Sequence, residues 1–367
     1  MTYYQSYAPH LDLFAVNSYG DIVRLKQFWV SGNFTRPYIL TEGGPNGEWE
    51  VPNDVNGVPD EPTDLAKQDQ YTASWNALLS HPGVALGGTE FHYGMENDFG
   101  GVWLNTYIGG WRRLGYYALK RAWTGTSSPN TPPEISGMTI GSQTSVPAGG
   151  KLDVSVAVTD PNGDPIRYNL TYSPKYVTNS TGFDNVRFTQ TSPGHFSAVA
   201  PATMGVWKVY VYAYDGHGNV GIEQRSFRVT APPVAGTNLA LQGTATASSF
   251  QPTGPNGPQP PSAAVDGNLA TRWASEWTDD QWLTVDFGTP TTFDHVRLAW
   301  ESAYASAYDI QTSDDGTTWR TVYSTTAGDG GFDDLPVAGT ARYVRMKGVK
   351  RASGFGYSLW EFGIYRS

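Results

Sequence analysis

Two short segments set a carboxylate beside an aromatic ring: Ser275-Glu276-Trp277-Thr278-Asp279 and Trp300-Glu301-Ser302-Ala303-Tyr304. Sugar recognition needs that combination, an aromatic face to stack on the apolar C–H surface of a pyranose and polar groups to read its hydroxyls. Trp300 itself is expected in the core, because side chains alternate along a strand and Glu301 faces the other way. A third segment, Ala263 to Thr271, is a tight acidic loop in which the Asp266 carboxylate and the oxygens of Asn268 and Thr271 could surround a hard cation. Ca²⁺ takes roughly six to eight oxygen ligands, and a glycine-containing loop can supply several. An Asp-Gly turn capped by threonine accounts for the same residues without a metal. Asp160, Asp164 and Asp215 are read in preference as turn formers. Near the N-terminus, Asn17-Ser18-Tyr19-Gly20 and Thr41-Glu42-Gly43-Gly44 close two apolar runs, so a phenol and a carboxylate stand at strand ends.

These residues need a scaffold, and the composition bounds it. The chain has 367 residues, a length for two or three domains. Aromatics reach 14% while charged residues are only 16%, the reverse of a disordered chain. Plentiful Gly and Pro favour short strands and turns. There is no cysteine, which excludes disulfides, thiolate metal sites and cysteine nucleophiles together. A formal charge of -10 argues against a nucleic-acid partner, which requires a basic stripe. No stretch approaches the ~20 apolar residues needed to span a bilayer, and MTYYQSYAPH lacks a basic start followed by an apolar run, so a soluble chain without an export signal is expected.

Three segments carry different patterns. Residues 1–125 alternate apolar strands (Leu11 to Asn17, Pro37 to Glu42, Val84 to Phe91) with helices (Asp21 to Ser31, Thr63 to Leu79, Trp111 to Trp123), which predicts a parallel sheet. Thr63 is the expected N-cap of the middle helix. Three such units cannot close a barrel. The proline-rich stretch 127–133 opens a second segment, 126–235, with strands at Leu152 to Val158, Ile166 to Tyr172, Trp207 to Tyr214 and Arg225 to Val229, as in a β-sandwich. Residues 236–367 are again all-β, with strands at Trp282 to Phe287, Val296 to Trp300, Tyr308 to Thr312 and Tyr343 to Gly348.

The last segment resembles a known family. Asn238-Leu-Ala-Leu, Ala245-Thr-Ala-Ser-Ser249, Ala264-Val-Asp-Gly-Asn268, Thr271-Arg-Trp273, Trp282-Leu-Thr-Val-Asp-Phe-Gly288, Ser313-Asp-Asp-Gly-Thr-Thr-Trp319, Arg342-Tyr-Val-Arg345 and Gly356-Tyr-Ser-Leu-Trp-Glu-Phe362 stand in the order found in the discoidin, or coagulation factor 5/8 type C, fold. Within that fold it is most similar to family 32 carbohydrate-binding modules. The resemblance implies a jelly-roll-like β-sandwich that binds sugars at loops on one end. It also implies a structural Ca²⁺ site built from the backbone of Ala263 and Asn268, the side chains of Asp266 and Thr271, and Glu361 with the Trp360 carbonyl. Discoidin modules attached to chitosanases carry similar glutamate-aromatic pairs, with Tyr357 in their C-terminal binding loop. By that likeness Trp277 stacks on the sugar, while Glu276 and Glu301 pair with hydroxyls or a glucosamine ammonium. Galactose binders of the family read their sugar with a His and an Arg, and no such His stands in these loops, which points to a β-glucan or amino sugar.

The first segment resembles the later strands of retaining (β/α)₈-barrel glycoside hydrolases. The resemblance implies Glu42 as nucleophile, Tyr19 as its orienting partner, and Trp103 and Glu90-Phe-His-Tyr93 lining sugar subsites. Retaining chemistry needs two carboxylates about 5 Å apart, and the family takes its acid from an earlier strand. The expectation is therefore the C-terminal half of a barrel, followed by an immunoglobulin- or fibronectin-like spacer and a discoidin-type jelly roll. Three functions stay open: a sugar-binding fragment of an extracellular carbohydrate-active enzyme; an active glycosidase whose other half is supplied separately; and a discoidin adhesin holding a cell surface. The sugar's identity and the oligomeric state are not legible.

Overall fold

The computed structural model describes residues 7–8, 10–94, 102–141, 145–254 and 257–367. The chain divides into two compact units, Met1–Thr230 and Ala231–Ser367.

The first unit opens with β1 (Phe14–Ser18), α1 (Ile22–Ser31), β2 (Tyr38–Gly43), α2 (Asp64–Leu79) and β3 (Ala85–Glu90). The three strands pair in parallel, in the order β1-β2-β3. Ile22, Leu25 and Trp29 recur at helical spacing on α1 and pack on Tyr38, Leu40 and Leu78. Thr63 caps α2 as the sequence predicts: its backbone is extended and its Oγ1 accepts the Ala66 N–H at 3.1 Å. The opposite face of the sheet is open, with Ile39, Thr41 and Leu86 exposed. The final helix starts later than its amphipathic pattern suggests. Trp111–Arg112 (β5) pairs with Tyr107–Ile108 (β4) about a Gly109-Gly110 turn, and α3 (Leu114–Thr124) begins only after the extended Arg113. The sheet contains three strands among the described residues, and a (β/α)₈ barrel is not formed by them.

A β-sandwich completes this unit: β6 (Glu134–Ile140), β7 (Ser145–Pro147), β8 (Lys151–Thr159), β9 (Arg167–Ser173), β10 (Asp184–Asn185), β11 (Phe188–Ser192), β12 (His195–Val199), β13 (Gly205–Tyr214) and β14 (Val220–Thr230). One sheet runs β10-β9-β13-β14-β7 and the other β11-β12-β8-β6, enclosing Leu152, Val154, Leu170, Val209, Val211 and Phe227. Buried polar contacts join sandwich and α/β part. Glu61 accepts from Lys67 Nζ at 2.6 Å, Tyr210 Oη at 2.8 Å and Lys208 Nζ at 3.4 Å. Arg113 forks onto Asp64, whose Oδ2 also accepts the Ile222 N–H at 3.0 Å.

The second unit is a jelly-roll-like β-sandwich. Its strands are β15 (Thr237–Asn238), β16 (Thr244–Ala247), β17 (Trp273–Ala274), β18 (Trp282–Phe293), β19 (His295–Trp300), β20 (Ala305–Ser313), β21 (Arg320–Thr325), β22 (Phe332–Leu335), β23 (Gly339–Arg351) and β24 (Ser358–Arg366). One sheet is ordered β15-β24-β19-β22 with β17 on β24, the other β16-β18-β23-β20-β21. Leu283, Val285, Val296, Leu298, Val344 and Phe362 fill the space between them. The loops after β17 and β19 carry the two glutamate-aromatic segments and the loop after β23 carries Tyr357, so sheet pairing fixes where those side chains can meet. No described helix is long and apolar enough to cross a membrane.

Candidate functional site

Three loops of the second unit form a cleft of about 330 Å³ whose lining includes Gln251, Arg272, Trp277, Glu301, Phe355 and Tyr357. Trp277 stands 57% exposed and Phe355 58% exposed, with ring centroids 5.4 Å apart and planes at 87°. Large aromatics left this exposed side by side mark an interaction surface. Glu301 lines the cleft but is not a free carboxylate. Its Oε1 is 2.8 Å from Arg272 Nη1 and accepts from Ser302 Oγ at 2.7 Å, while Oε2 accepts the Ala303 N–H at 3.0 Å. Arg272 also lies over the Trp360 ring at 5.5 Å. Glu276 is exposed beside Trp277 and has no ion-pair partner among the described residues. Tyr357 sits beneath the cleft with its ring fully buried, and burial pushes its phenol up. Trp300 is in the core, as the strand alternation requires, its Nε1 donating to Asp333 Oδ2 at 2.7 Å.

Phe355, Arg351 and Arg272 escaped the sequence reading. Phe355 alone had a local signal, an apolar ring between Gly354 and Gly356 in a loop. The two arginines acquire meaning only through partners some 30 to 70 residues away, Glu301 for Arg272 and Asp279 and Trp277 for Arg351.

The acidic loop runs directly into Arg272 and so adjoins one wall of the cleft. Asp266 Oδ1 accepts the Asn268 N–H at 2.9 Å and Oδ2 accepts from Thr271 Oγ1 at 2.7 Å, while Thr271 Oγ1 lies 2.8 Å from the Asn268 carbonyl. Gly267 turns the chain with φ 72° and donates its N–H to Glu361 Oε2 at 3.1 Å; Asn238 Nδ2 donates to Oε1 at 3.0 Å. Glu361 is 5% exposed, and burial, with a smaller contribution from the Asp266 charge, pushes its carboxyl up to about 7. These hydrogen bonds realise the Asx-turn expected of the loop. The same donor set, the Asp266 carboxylate, the Thr271 hydroxyl and the Asn268 carbonyl on the turn with the Glu361 carboxylate reaching it from β24, is all oxygen, the donor type a hard dication takes.

In the first unit, β1 and β2 bring the strand-end pair together: Tyr19 donates from its hydroxyl to Glu42 Oε2 at 2.8 Å. Trp49, 56% exposed, meets the Tyr19 ring edge-on at 5.1 Å. Glu90 is turned toward α2, where Ser74 Oγ donates to it at 2.8 Å, and burial pushes its carboxyl up to about 7. Trp103 does not line an open subsite. It is 2% exposed, donates to the Asn46 carbonyl at 2.8 Å and has Lys208 Nζ 4.7 Å from its ring centre, because the sandwich packs over it. Tyr93, at 63% exposure, is open. Asp160 and Asp215 act as turn formers, accepting the N–H groups of Asn162 and Asp164 and of His217 and Asn219, and with Asp164 their carboxylates converge within 4.8 Å.

Comparison with known proteins finds the following likenesses. Residues 244–362 match the model of the F5/8 type C domain family. Among solved structures, chitosan-binding module 1 of a chitosanase/glucanase from Paenibacillus sp. IK-5 is 51% identical over 36% of this chain and 100% of that one, with a TM-score of 0.33. Module 2 of the same enzyme, solved in complex with chitotriose, is 45% identical over 35% of this chain and 100% of that one, TM-score 0.33. The family 32 module of C. perfringens NanJ, solved with galactose, is 20% identical over 36% of this chain and 98% of that one, TM-score 0.32. A curated relative, the polysaccharide lyase 8 family protein HylA of Enterococcus faecalis (strain ATCC 700802 / V583), is 35% identical over 68 residues, which is 18% of this chain. The chain covers 5% of that protein's length.

Proposed function

We propose that Ala231–Ser367 is a carbohydrate-binding module that takes a β-glucan or amino-sugar polysaccharide at the Trp277 cleft. The observation that carries the reading is a more than half-exposed indole at a cleft walled by the Arg272-Glu301 pair, the juxtaposition of apolar face and polar reader that a pyranose requires. The family match over 244–362 supports it. At the cleft rim Asp279 and Asp280 are offset by Arg351 and Lys347, and the exposed Glu276 is left without an ion-pair partner among the described residues; that one open carboxylate favours a neutral or cationic saccharide over an anionic lipid surface and so over the adhesin reading. The test is calorimetry of the full chain and its Trp277→Ala variant against chito-oligosaccharides, their deacetylated forms and laminari-oligosaccharides. The chitosan-binding modules named above make the deacetylated forms the first choice. Undiminished binding by folded Trp277→Ala would sink the site.

In the acidic loop, Asp266, Thr271 and Glu361 with the Asn268, Ala263 and Trp360 carbonyls would hold Ca²⁺, which would neutralise the two carboxylates and tie the loop to β24.

A second reading concerns the first unit, and the Tyr19-Glu42 hydrogen bond favours it. The α/β part derives from a retaining glycoside hydrolase, with Glu42 in the nucleophile's place and the sandwich as an immunoglobulin-like companion. We expect no turnover of glycosides: retaining chemistry needs a second carboxylate about 5 Å from the nucleophile, and Glu90, which ends the adjacent strand, directs Oε1 to Ser74 on the helix side. Turnover of an aryl β-glycoside that vanished in Glu42→Ala would overturn the inert reading.

A further inference from the structure

Arg351, the last residue of β23, reaches across the loops that carry both exposed rings. Its Nη1 donates to the Trp277 carbonyl at 2.7 Å, to the Phe355 carbonyl at 3.1 Å and to the Gly354 carbonyl at 3.2 Å. Its Nε and backbone N–H both donate to Asp279 Oδ1, at 3.1 and 3.0 Å. Tyr357 Oη approaches the same carboxylate oxygen at 3.4 Å from below. The two loops are also pressed together at Gly356, where a Cβ would stand 2.5 Å from the Glu276 carbonyl oxygen and 2.6 Å from that of Ser275. With one of the two Nη1 hydrogens shared between neighbouring carbonyls, a single guanidinium thus reaches three carbonyls on two loops through Nη1 and one carboxylate through Nε, an arrangement that uses its fixed fork of donors.

We propose that Arg351 is a positioning residue that locks Trp277 and Phe355 into a rigid two-sided aromatic corner gripping one pyranose ring, face on one side and edge on the other. The assignment rests on the carbohydrate-binding reading of this cleft and adds Phe355 to the ligand-contacting residues. Neither ring is held by burial, since each is more than half exposed. Their perpendicular arrangement rests on their mutual edge-to-face contact and on the backbones from which they project, and Arg351 bonds both of those backbones. Ordering loops before the ligand arrives removes an entropic cost that binding would otherwise carry. Lysine would not substitute, because an ammonium on a flexible stem presents a point charge and not a planar fork.

The experiment is a double-mutant cycle in the full chain: Arg351→Ala, Trp277→Ala and the pair, titrated by calorimetry with the oligosaccharide of the panel above that the unmodified chain binds. Arg351→Ala is expected to weaken binding about tenfold alone and less than about twofold in the Trp277→Ala background, the non-additivity of groups acting through one another. Arg351→Lys should recover only a minor part of the loss, and Phe355→Ala should weaken binding as well. Loss of global stability would instead lower the melting point and add to the Trp277→Ala loss undiminished. Should Arg351→Ala fail to fold, Asp279→Ala, which removes the acceptor that anchors Nε and leaves the arginine, must show the same coupling. Normal binding by folded Arg351→Ala, or equal losses in both backgrounds, overturns the proposal. If Trp277→Ala alone binds normally, or the unmodified chain binds no member of the panel, the underlying reading fails, and the clamp with it.

Discussion

Among the residues of the cleft, charge pairing separates the two glutamates that look equivalent in the sequence. Glu301 is already neutralised by Arg272 and hydrogen-bonded by Ser302 and the Ala303 N–H, so little of its charge is left for a sugar ammonium. Glu276 is exposed and unpaired among the described residues, and a charge-assisted bond to an ammonium is open to it. In the calorimetric test, Trp277→Ala should cost about 2 kcal/mol or more, the usual size for truncating a hot-spot tryptophan. The matched arm is Glu301→Gln, which should change affinity for deacetylated and acetylated chito-oligosaccharides alike, because its partner is arginine and not the ligand. A selective loss on the deacetylated forms would return the ammonium to Glu301. The aromatic-carboxylate motif was legible because it is contiguous. Its division of labour was not, since Arg272 lies about 30 residues away from Glu301 in the chain.

Individual elements were legible where a side-chain period or a cap announces them. Thr63 and the buried stripe of α1 are of this kind, as are β18 to β20 and β23, whose expected cores lie inside the observed strands. The start of α3 was not, because Trp111 continues an amphipathic pattern while the two preceding glycines, with φ of 56° and 96°, turn the chain into a hairpin. Ile39 and Leu86 on the open face of a parallel sheet are also contrary to rule, since such sheets are normally covered on both sides. At the Asp266 loop the element-level question is what holds 3₁₀ turn Pro261–Ala264 and β24 together. A dication would offset the mutual repulsion of Asp266 and Glu361 and bind only the folded loop, which stabilises by mass action. The melting transition of Ala231–Ser367 within the full chain should therefore rise with millimolar Ca²⁺ and fall with chelator, and Asp266→Ala should abolish the difference. Identical midpoints in Ca²⁺ and chelator would remove the metal from the site.

For the molecule as a whole, the first unit's ionic layer is what the sequence could not disclose. Glu61, Asp64, Lys67, Arg113 and Lys208 look like ordinary surface charges in one dimension, yet all are buried where sandwich and α/β part meet. Desolvation would raise the Glu61 carboxyl, but Lys67 and Lys208 outweigh it and hold the group at about 2. Its contribution is present above the unfolded value near 4.5 and is lost as pH falls from there toward 2. Glu223 on β14 behaves oppositely. It is 2% exposed, burial pushes it up to about 7, and Oε2 lacks a partner. Arg225 Nη1, at 3.0 Å, and the Gln224 N–H reach only Oε1, Lys67 adds a weaker attraction, and Asp64 opposes ionisation. Because the folded state holds this proton more tightly than the unfolded chain, stability is full below about pH 4.5 and declines as pH rises through 7. Glu90, raised to the same range by burial, adds to that decline. Glu223→Gln keeps the shape of the neutral acid and removes the titration. It should leave the first unit's melting point nearly unchanged at pH 5 and raise it at pH 8, whereas Glu61→Gln should lower it at pH 7 by stranding two buried ammonium groups, a loss of about 3 kcal/mol or more. Thermal melts of both variants at the three pH values decide the matter: a Glu223→Gln profile parallel to that of the unmodified chain from pH 5 to 8 would show that this carboxyl ionises in the folded protein at no cost to its stability.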